Sequence, residues 1–184
     1  VTEDELVDAT FTREGWSYEE PPKIDQPTGP GGITLPVLQG YRQGKSVTLA
    51  DLKKLTIVEA RAAVKWKLAQ ISVQHGLDQI LFAPVRVQMV DFCYNSGEGL
   101  AIRWLQRVLN VPRTSVMDAA TVEAVNDPAT GRFQIMLNQA LIAARLQMID
   151  LATDAAKAGR KGIDAKFEEG LENRALTFSL LVVP

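Results

Sequence analysis

Helix start and stop signals recur along this chain from one end to the other, and strand alternation is nearly absent. Thr2-Glu3-Asp4-Glu5 reads as a capping box, with Thr2 as N-cap and Glu5 reaching back to its amide. Leu6, Val7, Ala9, Thr10 and Phe11 follow at near-helical spacing, and Gly15 after Glu14 marks the stop. Thr34 caps a helix over Pro36 to Tyr41. Thr48-Leu49-Ala50-Asp51 opens a short one, and Thr56-Ile57-Val58-Glu59 is a second capping box. Pro84 fits the first turn of a helix to Tyr94, ended by Asn95-Ser96-Gly97. Leu100, Ala101, Trp104, Leu105 and Val108 share one helical face. Asp118 or Ala119 starts another helix through Val125. A long pattern runs from about Arg132 to Lys157, stopped by Gly159, and a last one covers about Asp164 to Ala175. The spacing predicts a mainly α protein in a single compact body, with no internal repeat.

One stretch resists this reading. From Trp16 to Gly32 the chain holds Pro21, Pro22, Pro27 and Pro30 together with Gly29, Gly31 and Gly32. A loop of that length without an element of its own is usually functional or disordered.

Composition excludes several classes. Hydrophobic residues are 46% of the 184, enough for a buried core. The formal charge is -2, so the overall basic excess of a nucleic-acid binder is missing, and no nucleic-acid partner is expected. One Cys makes no intrachain disulfide, and one Cys with one His builds no Cys/His zinc site. No apolar run reaches the length of a membrane span, and Glu3, Asp4 and Glu5 stand where a secretory signal would be basic. Stable membrane insertion is therefore not expected.

Few residues could carry chemistry. Glu14 stands at a helix C-terminus, where the negative end of the dipole disfavours its ionised form. With partial burial it would serve as a general acid; without it, Glu14 is a solvated helix-end residue. Asn95 and Ser96 read equally as helix caps and as amide and hydroxyl contacts to a ligand. Trp104 and Gln106 read as packing residues. Cys93, between Phe92 and Tyr94, reads as a small buried hydrophobe rather than a nucleophile, and His75 beside Gly76 as an exposed turn residue. Arg160, Lys161 and Lys166, with the apolar stretch Phe178 to Val183, read as a solvated turn and a packed terminal segment.

Taken in order, the motifs resemble the glycoside hydrolase family 108 lysozymes. Arg13-Glu14-Gly15, then a Pro/Gly-rich loop and Gly31-Gly32-Ile33-Thr34, is similar to the family's Glu-Gly-Gly helix end and its Gly-Ile-Thr turn. Asp91-Phe92-Cys93-Tyr94-Asn95-Ser96-Gly97 resembles its Asn-Ser-Gly helix end. Ala101 to Leu109 is similar to its Ala-x-x-Trp-Leu-Gln-x-x-Leu helix, and Glu172-Asn173-Arg174 to its closing Leu-Asn-Arg. Three departures stand out. Trp16 replaces the second Gly of the tripeptide, Trp66 alone represents the aromatic pair usual near Val64 to Leu68, and the segment from Asp118 lacks both family glycines.

The resemblance implies a lysozyme-like helical fold forming one muramidase domain over 1-184, with the catalytic Glu in 1-97 and a peptidoglycan-binding-type part in 98-184. It implies cleavage of the β-1,4 bond between N-acetylmuramic acid and N-acetylglucosamine in bacterial peptidoglycan, without cofactor or metal. Glu14 would be the acid and Asp25 the second carboxylate, with Glu19 and Glu20 as alternatives. Trp16, Thr28, Thr34, Asn95 and Ser96 would contact substrate. A phage endolysin is the setting it implies, monomeric, held in the host cytoplasm before release and then acting on the wall. A wall-binding protein without catalysis is the alternative.

Overall fold

Leu6, Val7, Thr10 and Phe11 recur at helical spacing and are buried along one side of α1, Glu3–Glu14. Thr10 is tolerated there because its hydroxyl donates to the Leu6 carbonyl at 2.9 Å. The computed structural model describes residues 3–19, 27–43, 46–127, 133–159, 162, 168–176 and 178. Thr2, Glu20, Asp25, Arg160, Lys161, Lys166 and Leu180 to Val183, each singled out from the sequence, lie outside these. Contacts divide the chain into two compact units, Val1–Val73 and Gln74–Pro184.

In the first unit, α1 stops where Gly15 takes φ +89 and its N–H donates to the Phe11 carbonyl at 3.0 Å. Two strands of two residues each follow: β1 (Thr28–Gly29) and β2 (Ile33–Thr34), antiparallel, with Thr28 opposite Thr34. A tight Pro30–Gly32 turn joins them. Strands this short leave no alternation to read. The next helix, α2 (Leu35–Tyr41), starts after Thr34 as expected, but the Thr34 hydroxyl makes no capping bond, and Pro36 sets the first turn instead. The box at Thr48 and Asp51 is complete and opens α3, Leu49–Lys53.

The box expected at Thr56 is only half made. Thr56 accepts from the Glu59 amide at 3.2 Å, but the Glu59 carboxylate is taken by Arg42 at 2.8 Å. Both partners are charged in the guanidinium pair, whereas only the acceptor is in the capping bond. Arg42 also reaches Asp51 at 3.3 Å, so one guanidinium gathers the end of α2, the start of α3 and the start of α4, Ile57–Gln74. Arg61 and Lys65 of α4 pair with Asp8 and Asp4 on the outer side of α1. Such surface pairs contribute little each. The core of Phe11, Ile33, Leu38, Leu52, Val64 and Leu68 holds the unit together.

The second unit is built around α5, Ala83–Ser96, in which every residue from Val87 to Cys93 is buried. A helix covered on all sides needs neighbours on all sides. They are the helical turn Leu77–Gln79, α6 (Glu98–Leu109) and α8 (Phe133–Lys157); α7 (Ala119–Asn126) packs on α6, and α9 (Glu168–Leu176) on α8. The helices begin and end close to the residues read from sequence, with Asp118 capping α7 through the Thr121 amide at 2.9 Å. The Thr121 and Thr114 hydroxyls, bonded to the same carboxylate, hold Asp118 below the usual carboxylate range. Gln106 is fully buried, as expected, and ties α6 to the following loop. Its amide donates to Thr114, Val116 and Thr121 and accepts from the Ser115 amide.

Among the buried residues of α5 is a carboxylate, Asp91. It pairs with Arg145 of α8 at 2.9 Å, with side-chain exposures of 1% and 4%. The guanidinium lies between the rings of Phe92 and Phe178, 4.9 and 5.3 Å from their centroids. Removing one member of such a pair strands the other charge in the core. Asp91→Ala is expected to cost about 3–5 kcal/mol in urea unfolding. Asp91→Leu combined with Arg145→Met should cost much less. A single variant as stable as the native protein would show that the pair does not constrain the core.

Candidate active site

The end of α1 and the Pro30–Gly32 turn meet more closely than side chains permit. A Cβ on Gly31 would lie 2.8 Å from the Phe11 ring, and one on Gly32 would lie 3.0 Å from Oε2 of Glu14. Both glycines have φ +71, a region open chiefly to glycine. The Gly31 N–H donates to the Gly15 carbonyl at 2.9 Å, joining the turn to the helix stop. Backbone thus lies directly against the Glu14 side chain on one side. The Glu14 side chain is itself exposed. The helix-end position expected from sequence is the one observed, and the partial burial that would favour a protonated acid is not seen in the structure.

Trp16 follows immediately. It is 52% exposed, and its ring meets Phe11 at 5.0 Å between centroids with a tilt of 41°. The Phe11 ring therefore supports Trp16 and underlies Gly31. Beyond it, Lys53 lies over the Tyr18 ring at 5.1 Å. Glu19 and Thr28 exchange two backbone hydrogen bonds, of 2.8 and 3.0 Å, which close the base of the Pro-rich loop. This places Glu19 beside β1, with Thr28 and Thr34 half-buried and opposite each other. Glu14, Trp16, Glu19, Thr28 and Thr34 all belong to the first unit. Asp25 lies outside the described residues.

Asn95 and Ser96 belong to the second unit. Neither caps a helix as expected: α5 runs through Ser96, and Gly97, at φ +82, is the junction between α5 and α6. Only glycine turns there without strain, which leaves both residues inside the last turn. The Asn95 amide donates back to the Asp91 carbonyl. Both residues border a cavity of about 320 Å³ with Arg145, Met148 and Leu171.

Cys93 is buried as expected. Burial first, then the carboxylates of Glu98 and Asp91, push its thiol up to about 12, with Arg145 opposing. A thiol in that state is no nucleophile at neutral pH. His75 corrects the sequence reading: it is only 31% exposed and lies 3.5 Å from Glu98, a neighbour on α6 that local sequence does not disclose. Trp104 also departs from a core assignment. It is half-buried, with Arg107 over its ring at 4.6 Å. Among the described residues, no three His, Cys, Asp or Glu side chains are grouped to hold a metal ion, and no helix is long and apolar enough to cross a membrane.

Neither a family model nor a curated protein matches this chain. It is similar to a solved structure, SagA from Brucella abortus. The two share 26% identity over 96% of this chain and 95% of that one, with a TM-score of 0.62. That likeness, spanning almost both chains, agrees with the mainly α, lysozyme-like helical fold expected from sequence.

Two measurements follow from this geometry. Gly15 has open space around it, so Gly15→Ala meets only the left-handed backbone penalty of about 1–2 kcal/mol. Gly31→Ala should lose that and about 1–3 kcal/mol more, because its methyl meets the Phe11 ring. Equal losses in urea would show that the turn does not pack on α1. Cys93 should resist iodoacetamide at pH 8 in the folded protein and react on unfolding in urea. Rapid labelling of the native state would contradict the thiol environment described.

Proposed function

We propose that this protein is a peptidoglycan hydrolase, an N-acetylmuramidase of the family 108 lysozyme type. The observation that carries the reading is the exposed Glu14 carboxylate at a helix end, with the backbone of Gly32 against it and the half-exposed Trp16 beside it. The extended likeness to SagA supports the fold on which the reading rests.

In this reading a glycan lies across the corner with a sugar face on Trp16. Its binding removes water from Glu14, which favours the protonated carboxyl needed to give a proton to the leaving glycosidic oxygen. A second carboxylate then stabilises the oxocarbenium-like centre or activates water. Asp25 is proposed for that role. Glu19, fixed beside Thr28 by two backbone bonds, is the alternative within the described residues. Thr28 and Thr34 are proposed as substrate contacts on the same small sheet. Asn95 and Ser96 are proposed contacts on the second unit. No metal or organic cofactor is part of the scheme. We place the protein as a phage endolysin, acting as a monomer on the wall after holding in the host cytoplasm.

Glu14→Gln is nearly isosteric and should fold like the native protein, as circular dichroism would check. It is expected to lower release of N-acetylmuramic acid reducing ends from purified peptidoglycan by at least a hundredfold, as loss of general acid catalysis does. New amino groups in place of sugar ends would mean an amidase or peptidase. Wall binding without sugar-end release by the native protein would leave a binding protein without catalysis.

A further inference from the structure

The second unit carries a feature that the hydrolytic reading does not use. Between α6 and α8 runs a shallow groove of about 600 Å³. Trp104 and Arg107 form one wall. Ala140, Ala143, Gln147 and Asp150, spaced along one face of α8, form the floor and the other wall. Val108 and Ala140 also border an adjoining hollow of about 330 Å³, lined by Leu109, Met136 and Leu137.

Among the described residues neither Arg107 nor Asp150 makes an ion pair, and the contact given for the Arg107 guanidinium is the Trp104 ring. A cation and an anion thus flank a lining in which Ala140, Ala143 and Ala144 contribute methyl groups and Val108 and Leu146 larger apolar side chains. That combination suits a short peptide carrying both carboxylate and ammonium groups and small side chains. Carboxylates would meet Arg107 as charge-assisted pairs, and an ammonium would meet Asp150. N-acetylated glycan carries no ammonium and would leave Asp150 without a complement.

We infer that this groove binds the stem peptide of peptidoglycan, which combines alanine methyls, free carboxylates and a diamino-acid ammonium. The inference rests on the peptidoglycan reading for its choice of peptide, but not on hydrolysis. It gives the second unit a recognition role: peptide capture on α6 and α8, separate from glycan chemistry at Glu14.

The test is calorimetric titration of the full chain with synthetic alanyl-γ-glutamyl-diaminopimelyl-alanine. Saturable binding is expected. Arg107→Gln and Asp150→Asn should each weaken it at least fivefold. Ala143→Leu, at an exposed helical position that tolerates a larger side chain, fills the groove and should weaken it at least tenfold. Absence of binding by the native protein overturns the inference, as does equal binding by Ala143→Leu. Displacement of the peptide by chitotetraose, with the same variants losing chitotetraose, would make the groove a glycan site and also overturn it. Reducing-end release without peptide binding would keep the muramidase and remove this role. Peptide binding without reducing-end release would do the reverse.

Discussion

The first unit depends on a place where side chains are absent. The turn at Pro30–Gly32 rests on the Phe11 ring and against Glu14 only because neither Gly31 nor Gly32 carries a Cβ. Both also need a positive φ. Two independent requirements therefore coincide at adjacent residues, and glycine meets both. The consequence reaches outward. The turn sets the pairing of Thr28 with Thr34, and β1 in turn pairs with Glu19. The Pro-rich loop is thus tied at both ends to a turn seated on α1. A carboxylate at a fraying helix end would sample many positions. Here the backbone of Gly32 borders it on one side.

The second unit relies on a different constraint. Its central helix is buried around its circumference, so it has no face on which to leave a charge unpaired. Asp91 is nevertheless there, matched by Arg145 between two aromatic rings. Such a pair adds little net stability over apolar residues of the same volume, but it is sensitive to the loss of either partner. One consequence is register: α8 meets α5 where Arg145 reaches Asp91. The same carboxylate adds to the forces that keep the Cys93 thiol protonated.

Local chemistry was legible in the sequence; tertiary partners were not. The helix stop at Gly15, the complete box at Thr48 and Asp51 and the cap at Asp118 each involve residues three or four apart, and the structure has them as read. The half-made box at Thr56 failed because Arg42, seventeen residues away, took Glu59. His75 failed in the same way through Glu98. Helix caps at Asn95 and Ser96 gave way to Gly97 because only glycine reaches the φ of that junction. In the site, the position of Glu14 was legible from the glycine after it. The seating of Gly31 and Gly32 was not, although a glycine doublet after proline signals a turn that approaches something closely.

Trp16 bears on how the proposed chemistry would operate. Where glycine would leave the edge of Phe11 open, the indole covers it while presenting half its own surface to solvent. An exposed aromatic on a rigid neighbour loses little entropy when a ligand stacks on it, because the neighbour already restricts its rotamers. It also places apolar surface two residues along the chain from an exposed carboxylate. In the proposed reading these two effects act in sequence. The sugar face is held by an ordered ring, and the same contact excludes water from Glu14.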